Sequence, residues 1–453
     1  MTIDKLIKQL GKEKCSQLSS TLADYKTDKS YEEGVVPALL VIAQSAIDIK
    51  IVLDFANKYK IPLTVRGAGS GKSGGAIPEK GGILLSLEKL DQILDLDLNN
   101  SCITVEPGVI TDTIKDAAKQ VGLFYPPDPS SSDWCTIGGN IAENSGSSNA
   151  LKYGVTGDYV LGLEGFFANG EPFKLGGKLY KDVAGYDLKK LLVGSEGTLA
   201  IITKIILKLI PQPKVSESIW CCFDTMSDAC DYLQRIARSS LRPAAAEFLE
   251  KACVDAVEKI HQKTYPFNTG NAVVLCRFDA QSSTELNDML NIAKDEISHF
   301  ENTSVFTGNE EDYWFVRRAT SKALEQAYGH KTSEDVTVPP AEIATYLAAI
   351  KTLDPTSEIT FVGYGHLGDG NIHTNILMHQ PNPKRWKEIK QEWVKKVLEL
   401  CISMGGTLTG EHGIGVTKKE YMPMYFSESE IKIMKQIKAV FDPNNILNPS
   451  KVI

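Results

Sequence analysis

Two short stretches gather the residue types best suited to chemistry. Gly363 to His373, GYGHLGDGNIH, holds two of the chain's seven histidines, and TLTGEHGIG sets Glu411 next to His412. Two imidazoles and a carboxylate can make up the protein's share of an open catalytic metal site, and a further imidazole can move a proton. FVGYGHL and NIHTNIL are β-like runs on either side of Asp369-Gly370, a strong two-residue hairpin signal. With that pair as the loop, His366 falls opposite His373 and Tyr364 opposite Asn375. Their Cβ atoms would lie ~4.5–5.5 Å apart on one face. A one-residue slip would scatter the set over both faces. Histidines bonded to sheet backbone are the plain alternative. If 411 and 412 are extended, their side chains point to opposite sides, so that one can ligate while the other meets a different partner.

Three small-residue segments stand apart from these. RGAGSGKSGG is no Walker A loop, because Arg66 occupies the position of the leading glycine. Gly69, Gly71 and Gly74 do spell G-x-G-x-x-G after a strand. The loop then runs through AIPEKGG into another strand rather than opening a helix, which argues against a nicotinamide site. Backbone N–H groups in such a loop can cluster on an anion. Thr136-Ile-Gly-Gly-Asn140 with Glu143-Asn-Ser-Gly146, and Gly194-Ser-Glu-Gly-Thr198, also let backbone approach a ligand closely. Together they suggest a long phosphate-bearing cofactor.

The elements that must position these residues read as α+β. Ser45 to Asp48 is a capping box before a helix with Ile47, Ile51, Phe55 and Tyr59 on its inner face. IPLTVR, GILLSL and CITVEPG read as strands. Thr111 is the expected cap of a helix that turns Ile110, Ile114, Ala117 and Val121 inward and stops at Gly122. Pro211-Gln-Pro213 looks like a domain boundary. Trp386, Ile389, Trp393, Val397 and Leu400 form a core stripe, and Ser427 with Glu430 caps the last helix, which Pro443 ends. At 453 residues the chain exceeds the ~250–300 over which a single core grows. A net charge of −8 without a basic block argues against nucleic acid. The charged N-terminus and the absence of a long apolar run predict a cytoplasmic protein, with peripheral attachment at the inner membrane face left open. Nine cysteines without a C-x-x-C pair indicate reduced thiols, and any iron–sulfur cluster in the electron path must sit on another chain.

RGAGSGKSGGA, PPDPSS, TIGGNIAEN, YGVTGDYVLGLE, GSEGTLAIIT, GHLGDGNIH, GEHGIG and FDPNNILNPSKV resemble, in the same order, the FAD-linked 2-hydroxyacid dehydrogenases. That group includes the glycolate oxidase D subunit, D-lactate dehydrogenases and D-2-hydroxyglutarate dehydrogenases. The resemblance implies a vanillyl-alcohol-oxidase-type fold: an FAD-binding domain of two α+β subdomains over 1–213, an α+β substrate-capping domain over 214–404, and a C-terminal segment over 405–453 that returns to the flavin. It carries Arg66, Gly67, Ala68, Gly69, Ser70, Gly71 and Gly74 onto the pyrophosphate loop. It places Pro127, Asp128, Ser130 and Ser131, with Thr136, Gly138, Gly139 and Asn140, alongside the flavin and its phosphates. Asn144, Gly146, Glu196, Gly197 and Ile202 go around the rest of the FAD, and Asn448 approaches from the C-terminus. Ser145-Gly-Ser147 departs from the usual Ala-Gly-Gly. No histidine lies in the glycine loop, so the FAD is expected to be non-covalent.

The same resemblance makes His366, His373 and Glu411 metal ligands, His412 the base beside the flavin, and Asn375 a nearby polar contact. The metal expected is zinc, with manganese or iron as alternatives. Arg317, the first arginine of Trp314-Phe-Val-Arg317-Arg318, would bind the substrate carboxylate, for which its planar fork is suited. Lys331 is a weaker second contact, because its spacing is not that of the hydroxyglutarate enzymes. The implied reaction oxidises a small D-2-hydroxy acid, D-lactate or glycolate, with D-2-hydroxyglutarate as the alternative. The metal lowers the pKa of the hydroxyl, His412 takes its proton, and hydride passes from Cα to flavin N5. An iron–sulfur subunit, an electron-transfer flavoprotein or a quinone would receive the electrons, and the chain could be a homodimer. Two rivals stand beside this reading: a metal-dependent hydrolase with His366, His373 and Glu411, and a protein that keeps the FAD fold without net redox chemistry, as in alkyl-dihydroxyacetonephosphate synthases.

Overall fold

The computed structural model describes residues 2–30, 32–354, 358–378 and 382–453. The chain forms two compact units, one of Met1–Ser147, Val155–Gln212 and Glu411–Ile453, the other of Ser148–Gly154 and Pro213–Gly410.

The first unit holds two main sheets. In one, Leu39–Ile42, Ile83–Ser86 and Leu63–Arg66 run parallel, with Cys15–Ser16 antiparallel at one edge. Strands of one direction need a crossover, and the helix Ala46–Tyr59 links Leu39–Ile42 to Leu63–Arg66 on the far side of Ile83–Ser86, its N-cap Ser45 accepting from the Asp48 amide. Half of the expected row is on its buried side: Phe55 is buried and Ile51 packs against the core, with Ile49, Val52, Leu53 and Ala56, whereas Ile47 is 70% exposed and Tyr59 also faces out. Residues spaced by four drift ~40° per step around a helix, so a row of four such positions cannot stay on one face.

The other sheet is antiparallel, in the order Ile93–Asp97, Cys102–Val105, Ala200–Lys208, Val160–Phe167, Pro172–Gly176. The helix Thr111–Gln120 packs through Thr111, Ile114 and Ala118. Ile110 occupies its N-cap, and Val121 turns outward. Thr111 does not cap the helix, because its hydroxyl accepts instead from Asn140 Nδ2 at 2.6 Å. Ser427 and Glu430 form the expected capping box of the helix Glu428–Phe441.

The second unit is one seven-stranded antiparallel sheet, ordered Ser304–Phe306, Val215–Phe223, Ala272–Ala280, Ala245–Glu250, Ile359–His366, Asn371–Met378, His330–Thr337. The helices Lys251–His261 and Glu310–Tyr328 contribute to a core with Trp220, Leu249, Leu275, Tyr364 and Leu377. That core anchors the strands that carry Glu247, His366 and His373. Among the described residues all nine cysteines are unpaired, and no helix is long and apolar enough to cross a membrane.

Candidate active site

The glycine loop follows the parallel strand Leu63–Arg66. Arg66, expected among the cofactor contacts, turns its buried guanidinium back on the loop: Nη1 donates to the carbonyls of Thr27 at 2.8 Å and Ala76 at 3.3 Å. A Cβ on Gly67 would run into Thr136 Oγ1, so the backbones of two small-residue segments meet there. That hydroxyl is buried and, among the described residues, has no hydrogen-bond partner. Buried polar atoms are nearly always satisfied. A bare hydroxyl beside side-chain-free backbone therefore suits a phosphate-bearing ligand.

The neighbouring candidates are built into the same unit. Thr136 occupies the N-cap position of the helix Ile137–Glu143 without a side-chain bond to it; the helix carries Gly138, Gly139 and Asn140, and Asn144 ends it with φ 52°. Asn144 Oδ1 accepts from the Gly157 amide at 2.8 Å. Asp128 binds Lys115. Ile202 lies on the long antiparallel strand opposite Gly165. Asn448 is committed to the chain itself: Oδ1 accepts from the Val65 amide at 3.1 Å, and Nδ2 donates to the Glu196 carbonyl at 2.8 Å. It ties the C-terminal segment to the glycine-loop strand and to the third small-residue segment.

A buried carboxylate pair supports the turn after Glu411. Glu196 accepts from the amides of Ile414 and Gly415 at 2.8 and 2.7 Å. A Cβ on Gly413 would collide with Glu143 Oε2, which explains why glycine stands there. Burial and the neighbouring charge of Glu196 push the Glu143 carboxyl well up, against the Ser73 hydroxyl bond. Burial raises Glu196 too, opposed by its two amide donors. Burial lowers the Lys451 ammonium to about 7, although Asp28 and Glu196 pull the other way. A carboxyl raised on folding contributes stability that is complete below its unfolded pKa and is lost as pH rises through the folded value. Glu143→Gln should therefore flatten the fall in melting temperature between pH 5 and pH 8. Calorimetry of both proteins across that range should show the variant gaining on the wild type as pH rises.

Glu411 and His412 lie in a bend rather than an extended segment. Their side chains do not diverge as expected, since His412 Nε2 is 3.9 Å from Glu411 Oε1.

In the second unit the hairpin register differs from the two-residue loop expected. His366 pairs with Asn371 and Tyr364 with His373, leaving Leu367 to Gly370 as a four-residue connection. Asn375 pairs with Val362, not Tyr364. The shift is two residues, an even number, so the face is preserved. His366 and His373 become diagonal neighbours, with ring centroids 5.5 Å apart and planes at 78°. Gly370, at φ 84°, lets the longer loop form, and the Asp369 side chain accepts from the Asn371 amide at 3.2 Å.

Two cross-strand rows result on one face. Glu247, His366, Asn371 and Thr337 form the first, and Leu249, Tyr364, His373 and Asp335 the second. Ser333 and Asn375 form the next, followed by Lys331 with Leu377. Asn375 Nδ2 donates to the carbonyls of Val362 and His373, both at 2.9 Å, while its buried Oδ1 has no partner. Arg317 reaches this face from the helix Glu310–Tyr328: Nε donates to Glu247 Oε2 at 2.6 Å, and the guanidinium lies 4.9 Å from the centre of the Tyr364 ring. Lys331 Nζ donates to Ser321 Oγ at 2.9 Å, one helical turn beyond Arg317.

Sequence reading missed Glu247 and Asp335. Glu247 is 1% exposed, and His366 Nδ1 lies 2.6 Å from its Oε1. Burial pushes its carboxyl up, but the charges and hydrogen bonds of Arg317 and His366 prevail and hold it at about 2. Asp335 accepts from Asn371 Nδ2 at 2.6 Å, Thr409 Oγ1 at 2.8 Å and the Gly410 amide at 3.0 Å. The signal available was an acid within an apolar strand run, AAAEFLE, and one within SEDVTV, since unpaired buried acids are costly.

The FAD binding domain family matches residues 37–176, and the family described as FAD linked oxidases, C-terminal domain, matches 212–452. The chain belongs to the FAD-linked oxidases, and it is an FAD-linked oxidoreductase. It is 37% identical over 453 residues to the glycolate oxidase subunit GlcD of Bacillus subtilis, covering 99% of this chain and 96% of that one. It is 38% identical over 416 residues to a D-lactate dehydrogenase of Archaeoglobus fulgidus, covering 92% and 91%. Among solved structures, p-cresol methylhydroxylase with substrate bound superposes with a TM-score of 0.82 at 18% identity, covering 100% and 96%. An alkyldihydroxyacetonephosphate synthase gives 0.78 at 17%, covering 99% and 85%. These two likenesses establish a vanillyl-alcohol-oxidase-type fold.

Proposed function

We propose that this protein oxidises a small D-2-hydroxy acid, D-lactate or glycolate, to the corresponding 2-oxo acid. The observation that carries the reading is the single sheet face in the second unit. There Arg317, Tyr364, His366, His373 and Asn375 gather a cation, imidazoles and an amide. The names of the glycolate oxidase and D-lactate dehydrogenase relatives agree with it. A metal-dependent hydrolase leaves the FAD-binding half without a role.

Arg317 binds the substrate carboxylate through charge-assisted hydrogen bonds. His412 accepts the hydroxyl proton, a task imidazoles perform more often than any other side chain. The glycine loop, the segment from Thr136 to Gly146 and Glu196 with Gly197 hold the FAD without a covalent bond, and FAD supplies the two-electron acceptor. His366, His373 and Glu411 hold a divalent cation, and Asp335 adds a carboxylate beside His373. Mixed imidazole and carboxylate donors suit zinc, and also manganese or iron. His366 fits a ligand's role because Glu247 engages Nδ1, which directs Nε2 to a metal. Chain continuity supports Glu411, because Gly410, its neighbour, is bonded to Asp335. A cation there would supply Lewis acidity toward the substrate hydroxyl.

The test is a dye-coupled substrate screen on FAD-replete enzyme, stripped by chelation and then given zinc, manganese or iron(II). D-Lactate or glycolate should turn over in a metal-dependent way, with L-lactate at least ~10-fold slower, the factor that about 1.4 kcal/mol of misplacement gives. Absence of turnover of any 2-hydroxy acid with every metal would overturn the proposal.

A further inference from the structure

Glu247 stands where the two halves of this reading meet. It is the cross-strand partner of His366, and its carboxylate divides between two groups: Oε1 to His366 Nδ1 and Oε2 to Arg317 Nε, each at 2.6 Å. Its side chain is 1% exposed, and those of Arg317 and His366 are partly buried, at 14% and 12%. We propose that Glu247 is a positioning residue that orients the substrate-binding arginine and the metal-ligating histidine together. The inference rests on the hydroxyacid oxidase reading above, because it presupposes those two roles.

Geometry argues for orientation rather than a passive ion pair. An imidazole ring whose Nδ1 is held by a carboxylate has its tautomer and its plane fixed, and its Nε2 becomes the more basic donor. Glu247 takes Arg317 through Nε, and a guanidinium held on that side is oriented for a carboxylate to meet its Nη1–Nη2 edge in bidentate fashion. The Tyr364 ring, 4.9 Å from the guanidinium carbon, restrains its plane from the sheet side. Tyr364 is in turn the cross-strand partner of His373. One carboxylate and one ring therefore set the relative placement of a guanidinium and two imidazoles. A glutamate serving only the core needs no imidazole beside it on the sheet row and no guanidinium from the helix above.

Glu247→Gln and Glu247→Asp test the inference, with His366→Ala as the reference. FAD content is read from the flavin absorbance, metal affinity from equilibrium dialysis with zinc, and KM and kcat from the dye-coupled assay. Expected for Glu247→Gln are unchanged FAD content, zinc affinity ~10–100-fold weaker, as is usual when the partner of a metal-bound histidine is lost, and a raised KM for D-lactate. Glu247→Asp keeps the charge but is one methylene shorter and cannot span both partners, so it should show the same pattern in milder form. It serves alone if the glutamine variant does not fold. Should His366→Ala lose zinc while the folded Glu247 variants keep wild-type affinity and KM, the positioning role is overturned and the reading of the site stands. Should His366→Ala also leave zinc binding and turnover unchanged, the underlying reading fails, and the inference with it.

Discussion

Glutamine in place of His412 is expected to slow flavin reduction by D-lactate by ~10²–10⁴-fold, the usual contribution of a positioned general base. Flavin absorbance should stay at the wild-type level. The FAD-binding candidates lie in segments that remain intact, and the chain after His412 is held independently of its side chain. Gly413 packs against Glu143, and the amides of Ile414 and Gly415 bind Glu196. The bend that carries His412 is thus pinned from its C-terminal side by a buried carboxylate pair. On its N-terminal side the Gly410 amide is fastened to Asp335. Rapid-mixing spectroscopy without oxygen checks the result, and a variant that reduces its flavin at the wild-type rate would place the base elsewhere.

Arg317→Met should have the second large effect, and it should appear in two measurements at once. Loss of charge-assisted bonds worth about 2–3 kcal/mol lowers kcat/KM for D-lactate by roughly 30–150-fold. It also leaves Glu247, 1% exposed, with one of its two partners gone. Removing one member of a buried pair costs about 3–5 kcal/mol, so the melting temperature should fall as well. Arg317→Lys is a poor substitute, because an ammonium lacks the fork that meets Glu247 on one side and, in the proposed role, would meet a substrate carboxylate on another. It should retain more stability than the methionine variant and recover little of the lost kcat/KM. A lysine variant with wild-type KM would remove Arg317 from substrate binding.

Much of this was legible in the sequence where local chemistry is decisive. Ser45 and Ser427 cap their helices as read, because their hydroxyls have a fixed local target, the amide three residues on. The small-residue segments around Gly67 and Thr136 stood out because backbone that must approach closely excludes side chains. The face shared by His366 and His373 also survived an error in the loop, since alternation depends on parity and the register slipped by two. What failed depended on partners far along the chain. Thr111 left its capping role for Asn140, and the inner face of Ala46–Tyr59 was set by the sheet it covers. Glu247 and Asp335 went unnoticed because an acid in a strand declares a function only when its partners, 119 residues away at His366 and 74 at Thr409, are known.

The most direct test of the account is an anaerobic titration of the purified, metal-replete holoenzyme with D-lactate and with glycolate, following the flavin band near its visible maximum. The account predicts that at least one of them bleaches the band stoichiometrically, that L-lactate does not do so on the same timescale, and that oxygen or a dye restores the colour. A protein that binds no flavin after reconstitution with FAD, or whose bound flavin stays oxidised under excess of both acids, would contradict it.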